Sequence, residues 1–305
     1  MKKNLTASLE IDAKATLGEG TIWHPLENRL YWVDIEGQKL HIYDPETRTD
    51  REFATNQRTG TVVPVAGGGA LLALQNGIYF FDTGTGSFHF INNPLPDKAI
   101  RFNDGKCDPS GRFWVGSMHL DQTTGAAALY RMDKDASVHE VLKGITVSNG
   151  ITWSHDKKTM YYIDSPLRTI DAFDYDDTSG AINNRRMVAA IPDGLGDPDG
   201  MAIDTEGKLW VALWGGYCVG RFDPLTGDLL QKIEVPAPHV ASCAFGGKNL
   251  DILFISTARE GMSAKQLNEY PFSGGIFSVR TGITGVAANF FQSSAITNLK
   301  YCWEK

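Results

Sequence analysis

Long apolar runs are missing from this sequence. No segment approaches the ~20 consecutive apolar residues that cross a bilayer, so no membrane span and no membrane partner are expected. Met1-Lys2-Lys3 is followed by Asn4-Leu5-Thr6 and not by an apolar stretch, which does not fit a secretory signal. Cysteine is scarce as well: Cys107, Cys218, Cys243 and Cys302 form no Cys-x-x-Cys pair. Scattered thiols of this kind fit a reduced compartment better than a disulfide frame or a zinc finger. A cytoplasmic location is the expectation. Positive charge is in deficit, with 29 Lys and Arg against 36 Asp and Glu, a net charge of −7. That argues against a nucleic-acid partner, because phosphate recognition needs a basic face. Stretches of helical period are also lacking, so helix is a minor component. No Gly-x-Ser-x-Gly elbow, His-Glu-x-x-His pair, P-loop or dinucleotide fingerprint occurs.

What the sequence has is glycine and a repeat. The 32 glycines are spread along the chain rather than clustered, as many tight turns require. Short apolar strands begin at Leu30, Leu71, Phe113, Met160, Leu209 and Leu253, spaced 41, 42, 47, 49 and 44 residues apart. Each follows a polar turn such as Asp108-Pro-Ser-Gly-Arg112, and each precedes a second short strand such as Leu40-His-Ile-Tyr-Asp44. A unit of this length and order is a propeller blade. One such unit cannot bury both faces of its own sheet. Packed around an axis, the units bury one another and leave few free edges. The expectation is one all-β domain over residues 1–305, a six-bladed β-propeller of four-stranded antiparallel blades around a central metal-binding channel. Residues 5–13 are expected to supply an outer strand to the last blade, and the tail 291–305 has no assigned role.

The chemistry sits 10 or 11 residues before each of these strands. There the units carry Glu19, Asn103, Asn149 and Asp199, while units two and six carry Gly60 and Ser242. The innermost strand of each blade lines the channel, so equivalent positions converge on the axis. An Asn-Gly or Asp-Gly alone is usually a turn. Four polar residues in register point instead to a common ligand. Two carboxylates buried together need a cation, and an oxygen-only set suits a hard ion such as Ca²⁺, Mg²⁺ or Mn²⁺, with Zn²⁺ tolerated.

These same segments carry a resemblance. Leu17-Gly-Glu-Gly-Thr-Ile-Trp23, Ile100-Arg-Phe-Asn-Asp-Gly-Lys106, Val147-Ser-Asn-Gly150, Asp197-Pro-Asp-Gly-Met201 and Ala241-Ser-Cys-Ala-Phe-Gly-Gly247 resemble the SMP-30/gluconolactonase/LRE family, in collinear order over about residues 10–290. The resemblance implies a metal-dependent lactonase acting on a small sugar lactone. It implies one divalent ion, Ca²⁺ first, with Zn²⁺, Mn²⁺ or Mg²⁺ as alternatives. Carried over residue by residue, the metal ligands are Glu19, Asn149 and Asp199, and Asp199 is also the proton donor and acceptor. Arg101 and Asn103 contact substrate, which moves Asn103 out of the ligand set. Asp121 matches a substrate contact that is glutamate in the family. His119 beside it, and Trp153, Trp210 and Trp214, are further candidates for the site, although strand tryptophans usually pack between blades. Alternatives to the lactonase are an esterase or phosphotriesterase on the same propeller, or a non-enzymatic calcium-binding protein. A monomer or weak homo-oligomer is expected.

Overall fold

The structure, a computed structural model, describes residues 5–293. Almost all regular structure in it is β. The exceptions are a 3₁₀ turn at Ser165–Leu167 and one short helix, Ala264–Glu269, which opens on a capping box between Ser263 and Gln266.

Four separate four-stranded antiparallel sheets begin with the strands Gly18–His24, Thr59–Pro64, Ile100–Cys107 and Ser148–Trp153. The remaining strands form one nine-stranded sheet. In it, the runs that begin at Asp197–Ile203 and His239–Gly246 meet at a single residue pair, Trp214 with His239. Each of these six first strands packs against the next, and His239–Gly246 packs back on Gly18–His24. A propeller follows from this arrangement, because the sheets stand around an axis with their first strands innermost.

Burial explains why the sequence divides as it does. Gly18–His24 is buried at every position, whereas the fourth strand of the same sheet, Thr49–Ala54, is mostly exposed. The inner strands therefore hold small, apolar and ligating residues, and the outer ones hold charge. Between the sheets the core is aromatic. Trp114 meets Trp153 and Tyr175 edge to face, and Trp210 meets Phe245. The polar turns are fixed from below. Asp108 accepts from Arg112 Nε (2.7 Å), Trp114 Nε1 (2.9 Å) and the Tyr175 hydroxyl (2.8 Å). Asp204 does the same for Trp210 Nε1 (2.8 Å) and Arg221 Nε (2.7 Å).

The N-terminal segment serves two sheets. Ser8–Ile11 lies antiparallel beside Ile276–Arg280, as the outer strand expected from residues 5–13. Leu5–Thr6 lies parallel to the neighbouring strand Leu229–Glu234, which the sequence did not suggest. Of the 291–305 tail, Phe291 is buried and bridges Val65, and the Gln292 N–H donates to Gly111 O (2.9 Å). Residues 294–305 lie outside the described residues. Cys107, Cys218 and Cys243 are free, buried thiols.

Candidate functional site

Every inner strand slips register against its neighbour at one equivalent place. The slips fall between Glu19 and Ile22, Phe102 and Gly105, Ser148 and Ile151, and Pro198 and Met201. Two more fall between Thr59 and Thr61 and between Val240 and Ser242. A bulge bends a strand and re-aims its side chains. Glu19, Asn103, Asn149 and Asp199 stand in or at the edge of these bulges. The glycines beside them are required by crowding. A Cβ on Gly150 would lie 2.7 Å from Asp199 O. The blade position without a polar residue has the same cause, since a Cβ on Gly60 would lie 2.5 Å from Asn103 O. Ser242 is committed to Thr21, oxygen to oxygen at 2.8 Å.

The ring residues and Arg101 line one cavity of about 370 Å³, together with Met118, Gln122, Trp214 and Glu260. Glu19, Arg101, Asn103, Asn149 and Asp199 are each at most 6% exposed. A hydrogen-bonded chain links Arg101, Asn103 and Asn149 to the backbone of Pro198, next to Asp199, across three sheets. Arg101 Nη1 donates to Asn103 Oδ1 (2.7 Å), Asn103 Nδ2 to Asn149 Oδ1 (2.9 Å), Asn149 Nδ2 to Ser165 Oγ (2.7 Å), and Ser165 Oγ to Pro198 O (2.6 Å). The Asn149 amide is thereby oriented with its oxygen toward Asn103 and its nitrogen toward Ser165.

Electrostatics single out the two acids. Burial, and then the charge of Asp104, push the Glu19 carboxyl up to about 8, and Glu19 and Asp199 share a hydrogen bond. Burial first, then Glu19, raises Asp199 as well. Asp199 Oδ1 and Asp104 Oδ2 are buried with no hydrogen-bond partner among the described residues. Adjacent carboxylates that must share protons when alone, with an orphaned oxygen on one, fit a hard divalent cation. The oxygen-only donors Glu19, Asp199 and Asn149 suit such an ion. A second group of ligand-type residues, His41, Asp50 and Glu52, lies on outer strands. His41 Nδ1 already meets Asp50 Oδ2 at 2.7 Å and Glu52 pairs with Lys39, so each of the three already has a partner. The opposite ends of the inner strands line another cavity, of about 200 Å³, among Trp23, Lys106, Trp153 and Phe245. It contains none of the ring residues, and the unpartnered Asp199 oxygen belongs to a residue that lines the first cavity.

Asp121 and His119 are not brought into the ring. Asp121 is exposed, its N–H donates to His119 Nδ1 (3.1 Å), and neither side chain lines the cavity. Gln122, the next residue, does line it. Trp153 and Trp210 are buried packing residues, whereas Trp214 is half-buried and lines the cavity. Sequence reading missed the residues that aim the ring. Asp34 accepts from Thr16 N (3.0 Å) and Leu17 N (3.0 Å), just before Glu19. Asp164 accepts from Thr146 N (3.1 Å) and Val147 N (2.9 Å), just before Asn149. The signal was available: both end an apolar strand, Leu30-Tyr-Trp-Val-Asp34 and Met160-Tyr-Tyr-Ile-Asp164.

Comparisons with known proteins show the family and the fold. Residues 17–259 match the model of the SMP-30/gluconolactonase/LRE-like region. A Bacillus subtilis protein that carries the name sugar lactone lactonase is 38% identical over 277 residues, covering 90% of this chain and 95% of that one. The regucalcin of Danio rerio is 40% identical over 279 residues, with the same coverages. The structure of a luciferin-regenerating enzyme superposes with a TM-score of 0.87 at 31% identity, covering 94% of this chain and 99% of that one. A calcium-binding regucalcin from Agrobacterium tumefaciens shares the fold with a TM-score of 0.91 at 24% identity, covering 95% and 99%.

Proposed function

The chain belongs to the SMP-30/gluconolactonase/LRE family, and from that premise we propose that it hydrolyses a sugar lactone with one divalent metal ion in its channel. We count the nine-stranded sheet as two blades, which gives six around the axis, and treat residues 1–305 as one domain. Glu19, Asn149 and Asp199 are the proposed metal ligands, Ca²⁺ first. A bound ion would supply Lewis-acid polarisation of the lactone carbonyl and a lower pKa for water.

The chain's own residues do the rest. Asp199 accepts the proton of the water that adds to the carbonyl carbon, then returns it to the ring oxygen as the carbon–oxygen bond breaks. The product is the open aldonic acid. Arg101 has only Nη1 engaged within the described residues, on Phe102 O and Asn103 Oδ1, so its other N–H groups are left for substrate oxygens and developing negative charge. Asn103 holds Arg101 on one side and Asn149 on the other. It couples the substrate end of the cavity to the ligand end.

One observation carries this reading: the buried Glu19–Asp199 pair, with an orphaned Asp199 oxygen, lies in the same cavity as Arg101 and Asn103. The test is a pH-stat screen of aldonolactones on chelated protein, with Ca²⁺, Zn²⁺, Mn²⁺ and Mg²⁺ added back singly. Hydrolysis should vanish on chelation and return with at least one ion. Turnover that survives complete chelation removes the metal from the reaction. Higher kcat/KM on phosphotriesters than on any lactone would move the activity to that class.

A further inference from the structure

The cavity that holds the ring opens outward into a second space, of about 460 Å³, at the mouth of the channel. Arg101, Met118, Gln122, Trp214 and Glu260 line both spaces, so a ligand reaching the ring passes them. Two of them are placed to read a sugar.

Trp214 is held flat by His239, with ring centroids 4.3 Å apart and planes 11° from parallel. Glu260 is held by its backbone. The N–H groups of Arg259 and Glu260 both donate to Thr16 O (3.0 and 2.8 Å), and Arg259 Nε donates to Ser273 O (2.9 Å). The carboxylate itself has no hydrogen bond or ion pair among the described residues. The cations at the mouth act on it only through space: Arg58 is paired with Glu36 at 2.7 Å, and Arg101, whose Nη1 is bound to its own strand, forms no ion pair with it. An unpartnered carboxylate on a held backbone, exposed at the mouth beside an aromatic face, offers what a polyol needs, a strong acceptor for hydroxyl groups and an apolar surface for C–H groups. Asp121, on its exposed loop, lines neither space.

We propose that Glu260 is the specificity-determining acceptor for hydroxyl groups of the lactone. The assignment rests on the lactonase reading and deepens it. Glu260 distinguishes a polyhydroxylated lactone from a bare one and takes no part in bond breaking.

The experiment compares D-glucono-δ-lactone with δ-valerolactone, the same ring ester without hydroxyl groups, on the metal-loaded full chain. Turnover is measured for both, or competitive inhibition by δ-valerolactone where its turnover is below detection. Glu260→Ala should raise KM for the gluconolactone by about tenfold and leave kcat within about threefold. The same variant should leave kcat/KM or Ki for δ-valerolactone within about twofold. Glu260→Gln, which keeps an oxygen acceptor, should recover most of the loss. Equal losses on both lactones, or a Gln variant as impaired as the Ala variant, would overturn the assignment: the first means that Glu260 does not read hydroxyl groups, the second that it acts through its charge. So would a loss that follows Asp121→Ala while Glu260→Ala is silent. Wild-type protein inert toward both lactones with every ion removes the premise along with the assignment, and that result is read before any substitution is made.

Discussion

At the scale of single residues, the site is a contest between burial and charge. Glu19 and Asp199 are almost wholly buried and act on one another, so each favours its protonated form until a cation replaces the protons. The first prediction concerns activity. Glu19→Ala and Asp199→Ala should each lower lactone kcat/KM by at least about a hundredfold, measured at saturating metal in the pH-stat. The second concerns pH. In the metal-free protein the folded state keeps a proton on Glu19 over the window from its ordinary 4.5 to about 8, where the unfolded chain has lost it. The native state then binds more protons than the unfolded state, so stability falls as pH rises through that window. Thermal midpoints in chelator should drop from about pH 5 to about pH 8, and a divalent ion should raise the midpoint more at the higher pH. A midpoint insensitive to both pH and metal would contradict this account of the pair.

At the scale of elements, the recurring device is an inner strand with a bulge, entered through a turn that an aspartate fixes. Asp34 and Asp164 hold the two N–H groups that precede the bulges of Glu19 and Asn149. Asp164→Ala leaves two enclosed donors without an acceptor and should cost about 2–4 kcal/mol in urea unfolding. It should also weaken metal binding, because Asn149 lies only two residues beyond Val147. Asp164→Asn keeps one acceptor oxygen and should lose less on both counts. The same aspartates show how far local reading goes. The pattern of apolar strand ending in Asp was visible, but hydrogen bonds back across 17 or 18 residues depend on how the strands pair, which periodicity does not encode.

At the scale of the whole molecule, closure makes the channel. The N-terminal strands Leu5–Thr6 and Ser8–Ile11 cover the outer edges of two neighbouring runs of the nine-stranded sheet. Leu5 and Leu9 also pack on the core of those runs. A chain lacking residues 1–11 should expose both edges, lower the thermal midpoint by more than about 5 °C and aggregate on heating. Calorimetry and light scattering on the shortened chain would check this. An unchanged midpoint would mean that the ring closes without them.

The sequence by itself determined the repeat, the all-β class and the four polar positions of the ring, because period and turn chemistry are local and recur every 41 to 49 residues. Arg101, two residues before Asn103 on one strand, came from the family resemblance and not from the repeat. Tertiary structure alone decided which neighbours face the cavity. Asp121 falls outside it, while Gln122 and Trp214 fall inside, because a loop or strand end can turn either way until the adjacent sheet is packed. Glu260 was invisible for the same reason. It belongs to no motif of the ring, and only the hold of Thr16 on its backbone carries it to the mouth of the channel.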